Sequence, residues 1–148
     1  MYLADNYTQK FKFISNKNNT RYELTAKYTY EFNVIYNAFI YAFEIYEESK
    51  ENEDSFSLIL RVMENQTDLK VVDLHPDRNK YYLGKGISIS LILKCREVFG
   101  KRIISSNNLK KSEYCEWNSP EAIEKVWNPL VLLGLAIYLE NDDQYIVF

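Results

Sequence analysis

The sequence has only one histidine, two cysteines and four glycines among its 148 residues. Structural zinc sites use four cysteine or histidine ligands, usually in closely spaced pairs, and this chain has neither the number nor the spacing. Cysteine–histidine catalysis stays open only if Cys95 or Cys115 approaches His75 in space. The alternative role for Cys95 is a buried structural thiol.

Long apolar runs and an excess of positive charge are also missing. A helix needs about 20 apolar residues to span a bilayer, and no apolar run in the sequence is that long. The polar N-terminus also lacks a signal-peptide pattern. We therefore expect a cytoplasmic protein without a membrane partner. The 18 basic and 21 acidic residues give a net charge of −3. Because binding to nucleic acid usually needs a basic excess, we expect no nucleic-acid partner.

The chain does contain enough apolar material for one core, since 47% of its residues are hydrophobic and 26% are charged. A chain of this length buries roughly 70% of its unfolded surface, so residues 1–148 can form a single domain without disulfides or a structural metal. Period-two alternation predicts a strand over residues 26–32. Residues 34–46 have apolar residues at every fourth position, but their aromatic and β-branched content favours another strand. The charged residues 47–54 predict a solvated turn.

The next segments predict a hairpin and a helix. Residues 56–63 and 69–74 form two strand patterns separated by a polar turn. Residues 86–99 carry apolar side chains at helical spacing, and Gly100 provides a stop.

The C-terminal third predicts a strand, a loop, a second helix and a hairpin. The strand is residues 102–105, and the loop, residues 107–117, is expected at the surface. Ser119-Pro120-Glu121 predicts the helix start, because serine caps free amides, proline suits the first turn and glutamate suits the positive helix end. The helix should reach Leu133 and kink or end early at Pro129.

The closing hairpin pairs residues 135–138 with 145–148. This order of elements predicts an α/β or α+β domain with helices packed on a mixed sheet.

Gly84-Lys85-Gly86 is the segment with the clearest potential for chemistry. It lies between a predicted strand and a predicted helix, where free amides and the helix dipole favour an anion such as a pyrophosphate. The segment lacks the spacing of a Walker loop and the three glycines of a dinucleotide fingerprint. A tight turn that needs glycine only for steric reasons is the alternative.

The local sequence around this segment resembles the GNAT family of N-acetyltransferases. Residues 69–76 (LKVVDLHP), 81–88 (YYLGKGIS) and 103–106 (IISS) are similar to the family's fourth strand, its pyrophosphate loop with the third helix, and its fifth strand. Residues 122–127 and 134–136 resemble its last helix and the turn into its sixth strand. The resemblance covers roughly residues 56–148. It implies a GNAT-like, mixed and mostly antiparallel sheet with helices packed on it.

The resemblance also implies an activity, the transfer of an acyl group from acetyl-CoA or another acyl-CoA to a small-molecule or peptide amine. Six loop residues are the implied coenzyme-binding residues: Leu83, Gly84, Lys85, Gly86, Ile87 and Ser88. The chain departs from the family's pattern at two positions. Tyr81 stands where the loop usually begins with glutamine or arginine, and Trp127 stands where the last helix usually carries a proton-donating tyrosine.

The resemblance further implies that the thioester lies in a gap between the fourth and fifth strands, where a general base removes the amine proton. Asp73 and His75 are the candidate bases, and Tyr138 is a substitute acid. Their structural alternatives are a solvated carboxylate, a capping imidazole and a sheet aromatic.

Two other functions stay open at the level of sequence. One is a GNAT-like module without catalysis, whose aromatic sheet contacts a protein partner or a second copy. The other is an unrelated α+β binding protein.

Overall fold

The described residues form a mixed α+β structure built on one sheet of eight strands. The computed structural model describes residues 8–51, 55–76, 81–82, 85–109 and 116–148. The strands are β1 (Thr8–Lys17), β2 (Thr20–Asn33), β3 (Ala38–Tyr46), β4 (Phe56–Val62), β5 (Asp68–Pro76), β6 (Arg102–Ile104), β7 (Ile137–Leu139) and β8 (Gln144–Val147). The helices are α1 (Ile87–Phe99), α2 (Pro120–Ala122) and α3 (Asn128–Leu132), with a π-helical stretch (Ile123–Trp127) between the last two and a 3₁₀ turn (Glu48–Lys50) after β3.

The sheet order is β1-β2-β3-β4-β5-β6-β8-β7. The first five strands form an antiparallel meander. β5 and β6 run parallel and are joined through α1, and the β7–β8 hairpin then continues the sheet with antiparallel pairing. The described strands therefore contain one parallel pair within an otherwise antiparallel sheet.

Helix α1 forms where the apolar spacing predicts it. Its buried residues are Ile87, Leu91, Ile92 and Cys95, which share one face. Gly86 precedes it and Gly100 follows it, both with positive φ, and the Gly100 amide donates to the Arg96 carbonyl.

The sheet curls around α1, since the helix contacts both β1 and β6 although four strands separate them in the sheet order. At its C-terminal end, the Phe99 ring lies 4.5 Å from the Tyr41 ring and 5.5 Å from the Tyr28 ring. The helix thus closes the core between the first and last parts of the chain.

Three predictions from the sequence need correction. The strand predicted over 34–46 begins only at Ala38, because Asn33 Oδ1 accepts the amides of Ile35 and Tyr36 and forms a turn. The loop predicted at the surface over 107–117 contains Glu116, which is 3% exposed. The second helix begins at the predicted cap, Ser119, but it passes through a π-helical stretch before Pro129.

None of the described helices is both long and apolar enough to cross a bilayer.

Candidate functional site

The parallel strands β5 and β6 are paired over only three residues each. Asp68, Leu69 and Lys70 pair with Arg102, Ile103 and Ile104, and no further pairing between the two strands is present in the described residues. The paired end is held by an ion pair, in which Arg102 Nε and Nη2 donate to the two Asp68 carboxylate oxygens at 2.8 and 2.9 Å. This hydrogen bonding holds the pKa of Asp68 below its usual value.

A β-bulge lies where β5 leaves β6. Leu60 pairs with Val71 but Ile59 pairs with Asp73, so Val72 is the extra residue. A bulge bends its strand and increases the local twist. Beyond the three paired residues the chain after β6 still contacts β5, because the Ser106 hydroxyl donates to the Val71 carbonyl at 2.8 Å.

The two candidate bases lie on β5 beyond this bulge. Asp73 is half-buried and pairs with Ile59 on β4. His75 pairs with Ser57 through its backbone, and its side chain lies outside the described part of the chain. The structure thus places Asp73 one residue after the bulge, on the part of β5 that does not pair with β6.

The start of α1 packs against the edge strand β1. The Ser15 hydroxyl donates to the Lys85 carbonyl at 2.6 Å and accepts from the Ser90 hydroxyl at 3.2 Å. Gly86 has φ +72°, and a Cβ placed there would lie 3.2 Å from Ser15 Oγ. Glycine is therefore favoured at position 86 for steric reasons, and the amides that follow it belong to the first turn of α1.

Two lysine ammonium groups lie at the ring of Tyr81, next to the start of α1. Lys85 Nζ lies 4.3 Å from the Tyr81 ring centroid and 4.6 Å from that of Tyr22, and Lys50 Nζ lies 4.7 Å from that of Tyr81. The Tyr81 hydroxyl donates to the Glu47 carboxylate at 3.0 Å. Partial burial and then Glu47 raise the pKa of Tyr81. The structure thus places two lysine ammonium groups around the Tyr81 ring.

An open groove of about 840 Å³ borders this cluster. Its lining includes Tyr22 and Glu47, which contact Lys85 and Tyr81, and it runs between β1–β2 and the α1 residues Ser90, Leu93, Lys94 and Glu97. Pockets of roughly 300–1,000 Å³ are typical of small-molecule sites. The groove is therefore large enough for an extended ligand.

A buried ionic cluster lies on the first part of β5. Glu116 Oε1 is 2.7 Å from Lys70 Nζ and 3.1 Å from Arg61 Nη2, and the Glu116 and Lys70 side chains are almost fully buried. Burial and then the charges of Asp73 and Glu116 raise the pKa of Tyr36. No local sequence pattern indicates this cluster, because its members are far apart in the chain.

Tyr138 has a partner that retains its proton. Its hydroxyl donates to Asp143 Oδ1 at 2.6 Å, and this bond raises the pKa of Tyr138 to about 12. A phenol with a raised pKa releases its proton less readily, so this geometry favours its structural role in the β7–β8 hairpin. Trp127 is buried and stacks on Tyr145, with ring centroids 5.7 Å apart.

The cysteines and the glycine loop complete the predicted residues. Cys95 is fully buried in the core, which raises the pKa of its thiol and agrees with a structural role. Cys115 lies outside the described residues, and so do Leu83 and Gly84. Ile87 is buried in the core, whereas Lys85, Gly86 and Ser88 are partly accessible.

Comparison with known proteins adds no relative, since no family model, no curated protein and no solved structure matches this chain.

Proposed function

We propose that this chain is a GNAT-like domain that binds acetyl-CoA or another acyl-CoA and transfers the acyl group to an amine. The observation that carries the proposal is the pair β5 and β6, which run parallel, are paired over three residues before a bulge in β5 and are connected through α1. The resemblance implies the same order of strand, loop, helix and strand, with the thioester in the gap between the two strands.

The start of α1 supports the binding of a pyrophosphate. Free amides at a helix N-terminus and the helix dipole attract anions. Lys50 and Lys85, held at the Tyr81 ring, add two positive charges at this helix start. In this proposal they supply the cationic contact for which the family's loop uses glutamine or arginine.

In this proposal the chemical step takes place beside the part of β5 that does not pair with β6. The amine nitrogen attacks the thioester carbonyl, the C–S bond breaks and the coenzyme leaves as a thiolate that takes a proton from solvent. Asp73, half-buried beside the bulge, accepts the proton that the amine loses, directly or through water. His75 is the second candidate for this role.

Calorimetry with acetyl-CoA tests the coenzyme site, and we expect micromolar affinity. Ser88→Asp is the best variant, because an acidic residue near the helix start stabilises the helix but repels an anionic ligand. We expect at least about tenfold weaker binding for Ser88→Asp and wild-type binding for the matched neutral control Ser88→Asn. A substitution at Gly86 is less suitable, because its positive φ would strain the backbone.

Two results would contradict the proposal. One is the absence of binding at millimolar acetyl-CoA, and the other is equal binding by Ser88→Asp and Ser88→Asn. A thiol-release assay across amine classes then tests turnover. Asp73→Asn should lower the rate at least about a hundredfold while acetyl-CoA affinity is retained.

A second candidate function is a non-catalytic module that dimerises through an aromatic surface. On β2 and β3, Tyr30, Phe32 and Phe39 are each about half exposed, and the Tyr30 and Phe39 rings stack with centroids 5.0 Å apart. Exposed apolar patches of this kind mark interaction sites. Sedimentation analysis should then show a dimer that Phe32→Ser dissociates and Leu132→Ser, an exposed change elsewhere, preserves. A monomer at about 100 μM contradicts this function.

A further inference from the structure

The two free edges of the sheet carry different side chains. β1 lies at one edge and β7 at the other, and each pairs with a single neighbour among the described strands. The ten residues of β1 include Lys10, Lys12 and Lys17, whereas β7 has the sequence Ile-Tyr-Leu, without charge or proline. Charged side chains on an edge strand are one way in which proteins prevent edge-to-edge pairing. β1 therefore has this protection and β7 lacks it.

A row of isoleucines on the sheet ends at β7. Ile104, Ile146 and Ile137 pair in succession across β6, β8 and β7. The first two are 5% and 6% exposed, but Ile137, at the edge, is 41% exposed. Their sequence neighbours Ile103 and Val147 belong to the core that contains α1, so the isoleucine row lies on the opposite face of the sheet. A further strand beside β7 would therefore cover Ile137.

The backbone of β7 determines which kind of partner fits this edge. Among the described residues, this backbone has hydrogen-bond partners only in β8. The N–H and C=O groups on the outer side of an edge strand attract another strand. An apolar ligand or a lipid would leave these groups unpaired, so the partner that fits is an extended strand. Because β7 is short, few hydrogen bonds form and the association should be weak.

We propose that β7 pairs with β7 of a second copy, antiparallel and about a two-fold axis, so that the two sheets become continuous. Such a contact requires a self-complementary surface, and an uncharged strand with aliphatic side chains fulfils this requirement without opposite charges. The antiparallel direction also places the acidic turns of the two copies, residues 140–143, at opposite ends of the shared edge. This inference does not depend on acyl transfer, and β2 and β3 take no part in the contact.

Sedimentation equilibrium of the full chain from about 10 to 500 μM tests the proposal. We expect a monomer–dimer equilibrium with a Kd of about 10–100 μM. Ile137→Lys places a charge on the edge and should weaken dimerisation at least about tenfold. The matched control is Ile14→Lys on β1, the other edge strand, because Ile14 is 42% exposed and Ile137 is 41% exposed. This control should dimerise as the wild type does.

Three results would overturn the proposal. One is a wild-type monomer at about 500 μM. Another is an equal effect of Ile137→Lys and Ile14→Lys. The third is a dimer that Phe32→Ser dissociates and Ile137→Lys leaves intact, which would assign the dimer to the aromatic surface of β2 and β3.

Hydrogen exchange on the wild type provides a second readout that needs no variant. Pairing should slow the exchange of the β7 amides several-fold at about 500 μM relative to about 10 μM, because the outer amides gain hydrogen-bond partners. The amides of β1, at the other edge, should exchange at the same rate at both concentrations. Exchange of the β7 amides that does not change with concentration contradicts the proposal.

Discussion

The ion pair between Asp68 and Arg102 should contribute measurably to the stability of the fold, because it clamps the paired end of β5 and β6. Asp68 is 5% exposed and accepts two hydrogen bonds from the guanidinium at 2.8 and 2.9 Å. A hydrogen bond to a charged group contributes about 1.5–3 kcal/mol. The Arg102 side chain is 41% exposed, so solvent screens part of this interaction. We therefore expect Asp68→Asn to lower the free energy of unfolding by about 2 kcal/mol.

Urea denaturation at neutral pH measures this loss, and a change of that size moves the midpoint by about 1 M for a protein of this length. The pH dependence gives the sign check. Because the pKa of Asp68 is lowered on folding, its contribution is present above the usual carboxyl pKa and is lost as pH falls through the lowered value. The difference in the free energy of unfolding between wild type and Asp68→Asn should therefore disappear at acid pH.

An exposed ion pair provides the control for this experiment. Glu121 and Lys125 lie 3.3 Å apart, but both side chains are about two-thirds exposed. Glu121→Gln should change the stability by no more than about 0.5 kcal/mol. Two results would contradict the prediction that this ion pair stabilises the paired end of β5 and β6. One is a loss in the free energy of unfolding for Asp68→Asn that is as small as the loss for Glu121→Gln. The other is a loss for Asp68→Asn that persists unchanged at acid pH.

Two further predictions concern the glycines that flank α1 and the hydrogen bond of Tyr138. Gly86→Ala should destabilise the fold more than Gly100→Ala, because both have positive φ, which costs about 1–2 kcal/mol, but only a Cβ at 86 crowds Ser15. Urea denaturation compares the two, and equal losses would show that the contact with Ser15 is relaxed without cost. Since the pKa of Tyr138 is raised from 10.0 to about 12, the stability from its hydrogen bond is fully present below pH 10 and is lost between about pH 10 and 12. The difference in the free energy of unfolding between wild type and Tyr138→Phe should therefore shrink over that pH range. In a pH titration followed by tyrosinate absorbance, the variant should lack the step at the highest pH. A stability difference that stays constant would contradict the hydrogen bond between Tyr138 and Asp143.

The sequence predicted elements that depend on local patterns. The α1 helix follows from apolar residues at helical spacing between two glycines, and the cap at Ser119 is present as predicted, since its hydroxyl accepts the Ala122 amide. The β4–β5 hairpin follows from a polar turn between two apolar runs. Each of these signals lies within a few residues of the element that it specifies.

The surroundings of the candidate site depend on distant residues, and sequence patterns did not reveal them. Ser15 meets Lys85 across 70 residues, and Arg61 meets Glu116 across 55. Glu116 looks like a surface residue in a polar stretch, yet it is buried because two cations compensate its charge. The strand β1 does carry a local signal, because Lys10, Phe11, Lys12 and Phe13 alternate between charged and apolar side chains.

The contact between α1 and the edge strand β1 affects the order in which a ribosome could complete this fold. The first three strands emerge early, but α1 covers their apolar side only after it has been synthesised. The last residue of α1, Phe99, comes about 50 residues after the end of β3 at Tyr46. At about 5–20 residues per second, several seconds pass before the helix can dock. During this interval the apolar side of the nascent meander is not yet covered by α1, and a fragment that lacks β1 would leave one of the contacts of α1 unmade.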